Sequence, residues 1–158
     1  MLPGTTPSLP GDRGEADEEL LAALRAGDVV GARLRLLRAR VLVPVVALPA
    51  AGEAEMAVPA LVDADGARAL PLFTSYAALR AWRPDARPVP MSGARALAGA
   101  RAEGYDAVVV DLADGHRHAV DGDDLAVLAA AAERVLADPS TAVVVVDEGP
   151  AGGAAGVV

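Results

Sequence analysis

Three short, almost wholly aliphatic runs constrain this chain more than anything else: Val41–Leu48, Ala107–Val110 and Val143–Val146. Each has the length of a strand, is rich in valine and is bounded by charged or turn-forming residues, the pattern of strands buried on both faces. None approaches the roughly 20 apolar residues that a membrane-spanning helix needs. Two Asp-Gly pairs, Asp65-Gly66 and Asp114-Gly115, lie between apolar segments. That dipeptide accepts the positive φ of a tight hairpin turn. It predicts a hairpin of Met56–Val62 with Ala67–Phe73, and a tight turn from Ala107–Val110 into Arg117–Val120.

Helices fill the spaces between the strands. Asp17 is an N-cap followed by Glu18 and Glu19, which suit the positive end of a helix dipole. Leu20, Leu21 and Leu24 then share one face, and Gly27 suits the stop. Asp28 starts a second helix with Val30, Leu34 and Leu37 on one side. Ser75 caps a helix to Trp82, which Pro84 ends, and Ser92 caps another to Glu103 with Gly104 as its stop. Asp121 caps the last helix, over Asp123–Ala137, which Asp138-Pro139 breaks. With a short extended piece at Val89, the order reads α-α-β-β-β-α-β-α-β-β-α-β. Hairpins interleaved with helices imply a single α+β domain, a mixed β-sheet flanked by helices. The expected boundaries are a disordered leader at 1–16, a folded domain at 17–147 and a flexible Gly/Ala tail at 148–158.

Composition narrows the function classes. At 158 residues with 53% hydrophobic side chains and a mean hydropathy of +0.34, the chain can bury a core without staples. The sequence has no Lys, Asn, Gln, Ile or Cys, a bias that a GC-rich bacterial genome accounts for. The absence of cysteine excludes disulfides, thiol catalysis and Cys-ligated metals. A net charge of −8 opposes nucleic acid and anionic membrane as partners. The start, with Pro3, Pro7 and Pro10, lacks the basic and apolar regions of a signal peptide, so the cytoplasm is the expected location.

Five features are candidates for chemistry. His116 and His118, the only histidines, would share one side of a strand, and Asp114 or Asp111 would complete a metal or acid–base site. The plain alternative is a turn with two solvated imidazoles. Asp63-Ala64-Asp65-Gly66 and Asp121-Gly122-Asp123-Asp124 lack the ligand spacing of a calcium loop, and a turn and a cap explain them. Ser8, Ser75, Ser92 and Ser140 stand in no nucleophile motif. Phe73, Tyr76 and Trp82, beside Thr74 and Ser75, would either anchor a partner or fill the core of an otherwise aliphatic protein. Arg33, Arg35, Arg38 and Arg40 form either a solvated helix face or a docking patch for an acidic partner.

Asp65-Gly66, Leu70-Pro71-Leu72-Phe73-Thr74-Ser75, Leu79 and Trp82 together resemble the hairpin and Phe-Thr-Ser segment of the SseB N-terminal domain family. Leu42-Val43-Pro44-Val45 is similar to that family's first strand, and Ala26-Gly27-Asp28 to its opening helix. The resemblance covers about residues 18–136. One departure is Val110-Asp111-Leu112-Ala113-Asp114-Gly115, where members commonly carry an Asn-Pro-Gly-like turn. The resemblance implies an α+β domain with no catalytic residues to transfer. Its name derives from an enhanced-serine-sensitivity phenotype, and a secretion label that travels with a shared name does not fit a chain without coiled-coil heptads.

The sequence therefore leads to the expectation of a non-catalytic cytoplasmic interaction or accessory module, monomeric or weakly self-associating, without a cofactor. Its partner would be a protein met by Phe73, Thr74, Ser75, Tyr76, Trp82, Arg35 and Arg38. The alternatives are a metal-dependent enzyme or a small-molecule sensor built on His116, His118 and Asp114, with a pocket beside helix 75–82 as another sensor site.

Overall fold

The computed structural model describes residues 11–49, 55–146 and 155–157. Residues 1–10 of the expected leader, and 147–154 and 158 at the other end, lie outside the described residues. Helices α1 (Glu18–Ala26) and α2 (Val29–Arg38) are followed by strands β1 (Arg40–Leu48), β2 (Glu55–Ala57), β3 (Leu61–Val62) and β4 (Arg68–Leu72). Then come α3 (Tyr76–Trp82), β5 (Arg87–Ser92), α4 (Gly93–Ala102), β6 (Ala107–Val110), β7 (His118–Asp121) and α5 (Gly122–Ala137). Strands β8 (Val144–Val146) and β9 (Ala155–Val157) pair antiparallel with each other, so part of the segment expected as a flexible tail is in a strand.

Local signals set the helix ends. Asp17, Asp28, Ser75 and Ser92 each accept a hydrogen bond from a backbone N–H in the first turn, at 2.9, 2.9, 3.0 and 3.2 Å. Gly27 ends α1 in the left-handed conformation at φ 68°. Asp121 occupies the N-cap of α5 but makes no side-chain capping bond.

The fold is α+β, with two sheets ordered β2-β1-β5 and β3-β4-β6-β7. The second is mixed: β4 and β6 run parallel, whereas β3 and β7 are antiparallel to their neighbours. The expected single strand Met56–Val62 is broken at Pro59, which cannot donate to a ladder. Its first part pairs with β1 and its second with β4, so one apolar run serves both sheets. The Asp65-Gly66 turn forms as expected, with the Asp63 N–H donating to Ala67 O at 3.0 Å and Gly66 at φ 86°.

Strand alternation divides the core in two. Val41 and Val43 of β1, Leu70 and Leu72 of β4, and Val108 and Val110 of β6 pack with α1, α2, α4 and α5 in the main core. Leu42, Val46 and Phe73 point the other way and form a second cluster with Ala78, Leu79 and Ala86, against which Trp82 and Leu112 pack. In the main core, α4 presses on α2 at Gly93, where a Cβ would lie 1.7 Å from the Leu36 carbonyl oxygen.

Candidate functional site

The two sheets meet where Leu42 and Phe73 exchange backbone hydrogen bonds of 2.8 and 3.0 Å. The parallel strands β4 and β6 end side by side at Leu72 and Val110, and Thr74 and Asp111 lie just beyond those ends. Asp111 is 1% exposed and its backbone has φ 49°, a left-handed conformation that Asp tolerates better than most residues. Its Oδ1 accepts from the Thr74 backbone N–H at 2.9 Å, and its Oδ2 accepts from the Thr74 hydroxyl at 2.6 Å. The left-handed turn therefore lies at Asp111, ahead of Asp114-Gly115. A longer loop of residues 111–117 replaces the tight turn expected from that pair.

Two further side chains come from this loop. His116 Nε2 lies 3.0 Å from Asp111 Oδ2 and 3.6 Å from Asp114 Oδ2. His116 precedes β7, so it does not share a strand face with His118 as the sequence spacing implied. The groups that converge are Asp111, Asp114 and His116, with ligand atoms all within 4.8 Å of one another. His118 stands apart on β7, where its Nε2 is buried without a hydrogen-bond partner, as is Arg33 Nε. Burial, and then the nearby Arg33 guanidinium, hold the His118 imidazole below its ordinary pKa. Gly115, His116, Arg117 and His118 form one wall of a cavity of about 310 Å³, and the α1–α2 turn forms the other.

The cluster does not have the form of a nucleophilic triad. The carboxylate sits between hydroxyl and imidazole, whereas an activated hydroxyl needs the imidazole in the middle as its base. Thr74 is also 1% exposed, so no substrate reaches its oxygen in this conformation. What the geometry does is fasten the end of β4 to the end of β6.

On the other side of Thr74, Arg40 donates to the Thr74 carbonyl at 3.0 Å. Arg40 also contacts both carboxylate oxygens of Asp12, at 2.9 and 3.0 Å, and donates to the Glu15 carbonyl. Residues 12–15, placed by composition in a leader, thus pack on the sheet junction. The other arginines of the basic run also have internal partners. Arg33 pairs with Asp124 of α5 at 2.9 Å, Arg35 pairs with Glu19 of α1, and Arg38 donates to the carbonyls of Pro139 and Thr141 at 2.9 and 2.6 Å.

The aromatic group is mainly core. Phe73 is 0% exposed and stacks on half-buried Trp82 with ring centroids 5.3 Å apart. Ser75 caps α3, and only Tyr76, 40% exposed, presents a substantial surface. Sequence reasoning missed Thr74 as the donor to Asp111. The partners are 37 positions apart, and only the parallel pairing of β4 and β6 brings them together.

No curated protein and no solved structure matches the chain. The SseB protein N-terminal domain family matches residues 18–127, a span that includes the bridge, Thr74, Asp111, Asp114 and His116. That match covers well over half of the chain, which therefore belongs to the SseB N-terminal domain family.

Proposed function

We propose that this domain is a non-catalytic protein-interaction module of the cytoplasm, and that it docks its partner along the outer strands β2 and β3. The supporting observation is a concentration of exposed aliphatic side chains: Leu48, Met56, Val58 and Val62 are 42, 46, 38 and 64% exposed. All four fall within fifteen residues of chain, on or beside strands at the margins of the two sheets. Sheet margins offer unpaired backbone groups, and side chains on alternate positions supply specificity when a partner strand is added. Beside Val58, a groove of about 230 Å³ is lined by Val43, Leu70, Met91 and the α4 residues Ala96 and Ala100. No helix among the described residues is long and apolar enough to cross a membrane.

The test is affinity purification with quantitative mass spectrometry from the native host, comparing wild type with Met56→Lys and Val62→Asp. Both positions are exposed, so the variants should keep wild-type urea midpoints. A protein enriched by wild type and lost with both folded variants supports the reading. An enriched set that is unchanged by either substitution, or indistinguishable from background, counts against it.

A further inference from the structure

We infer that Asp111, Asp114 and His116 bind a first-row divalent metal ion of the zinc type, a site separate from the docking margin proposed above. Three observations point there. The first is geometric. Zinc bonds of about 2.0–2.2 Å in tetrahedral arrangement place neighbouring ligand atoms roughly 3.3–3.6 Å apart. The His116 Nε2 distances of 3.0 and 3.6 Å to the two Oδ2 atoms lie close to that separation.

The second is electrostatic. Asp111 is a carboxylate at 1% exposure, and its only ion-pair partner among the described residues is His116, whose charge depends on a proton. Asp114 brings a second carboxylate to the same imidazole. A buried carboxylate beside another is costly unless a cation offsets it. The chain contains no lysine, and Arg40 is directed to Asp12 and to carbonyl oxygens. Arg117, next to His116 in the loop, lines the cavity without an ion pair to either carboxylate among the described residues.

The third is the surrounding support and access. The Thr74 N–H and hydroxyl hold the Asp111 carboxylate in a fixed orientation, as outer donors do around metal ligands. The Asp114 side chain is 41% exposed and His116 borders the 310 Å³ cavity, so solvent reaches the cluster and water can fill the ion's remaining positions. One imidazole with two carboxylates suits zinc, manganese or iron, whereas calcium and magnesium prefer oxygen alone. Bound there, the ion ties the 111–117 loop to the sheet junction through Asp111 and Thr74.

The experiment uses the full chain without a His tag, stripped with chelator and exchanged into clean buffer. Zn²⁺ is titrated calorimetrically, and Co²⁺ is followed by its visible absorption. The expected result is one equivalent bound, with Asp114→Ala and His116→Ala each weakening affinity at least tenfold, since losing even an outer-shell partner costs about 10- to 100-fold. Both positions lie in the loop, and wild-type urea midpoints in chelator certify that the variants are folded. His118→Ala should bind as wild type. The inference is overturned by absence of saturable binding to folded wild type, by undiminished binding to folded His116→Ala, or by loss of binding in His118→Ala alone.

Discussion

Replacing Asp111 by alanine tests whether this carboxylate joins β4 to β6. The substitution removes the acceptor for two donors on Thr74, a residue 1% exposed, so neither donor gains water in exchange. An unsatisfied buried donor costs about 1–3 kcal/mol. Alanine at φ 49° adds only a fraction of the roughly 1–2 kcal/mol left-handed cost, because aspartate carries the same Cβ and is favoured there only through its side chain's local hydrogen bonding. Relief of a buried charge works in the opposite direction, and rotation of the Thr74 hydroxyl recovers part of the loss. The net expectation is a destabilisation of about 3–5 kcal/mol, a large share of a domain's usual 5–15 kcal/mol. Asp111→Asn should cost much less, about 1–2 kcal/mol, because its amide oxygen still accepts from the Thr74 N–H and asparagine tolerates the same backbone. Urea unfolding in excess EDTA isolates this effect from any metal. Trp82 is the sole tryptophan and stacks on Phe73 beside Thr74, so its fluorescence reports the junction. An alanine variant within about 1 kcal/mol of wild type would refute the fastening role. Equal losses for Asn and Ala would show that charge, rather than a positioned acceptor, is what matters.

Gly93→Ala forces a Cβ to within 1.7 Å of a main-chain oxygen on α2. No rotamer relieves that overlap, so the variant should lose about 3 kcal/mol in the same urea assay, and a neutral result would remove the close α2–α4 contact from the account. Arg40→Met keeps the aliphatic stem but leaves Asp12, whose side chain is 14% exposed, without its cation. Amide hydrogen exchange should then accelerate selectively over residues 12–15, and uniform exchange across the chain would contradict local anchoring. The Ser140 hydroxyl, and then its backbone N–H, hold the Asp138 carboxyl below its ordinary pKa. A depressed folded-state value contributes stability above the unfolded pKa and loses it as pH falls through the folded pKa. Ser140→Ala should therefore raise the Asp138 midpoint in an NMR titration, and an unmoved midpoint would reject the hydroxyl as the main cause.

What could be read in the sequence is what short-range chemistry determines. Asp17, Asp28, Ser75 and Ser92 were legible as caps because each acts on a backbone group three residues away. The Asp65-Gly66 hairpin was legible because its turn needs a positive φ, which glycine supplies. The cluster was only half legible. Asp111, Asp114 and His116 stand out as residue types, but strand alternation pairs His116 with His118, whereas β7 begins only at His118. Asp111 rather than Gly115 takes the left-handed turn, and nothing local marks the choice, because its support comes from Thr74 across the β4–β6 pair. The split of Met56–Val62 had a visible cause in Pro59, yet which sheet each half would join depends on strand order, a long-range property.

The position of the Arg40–Thr74–Asp111 contacts explains why polar groups are buried there at all. Backbone pairing between the two sheets is confined, among the described residues, to the Leu42–Phe73 bridge. Two hydrogen bonds alone leave the angle between two twisted sheets loosely determined. Arg40 acts from β1, holding the Thr74 carbonyl and the chain before α1, while Asp111 acts from β6, holding the Thr74 N–H and hydroxyl. Both peptide groups of the residue after the bridge are therefore held, one from each sheet. The two strands that meet at the bridge lead outward from this point to the proposed docking margin, β1 to its pairing with β2 and β4 to its pairing with β3. Fixing the junction therefore fixes how Met56 and Val62 stand relative to each other. On this reasoning the buried carboxylate contributes to function by setting the geometry of a remote apolar surface, without touching a partner itself.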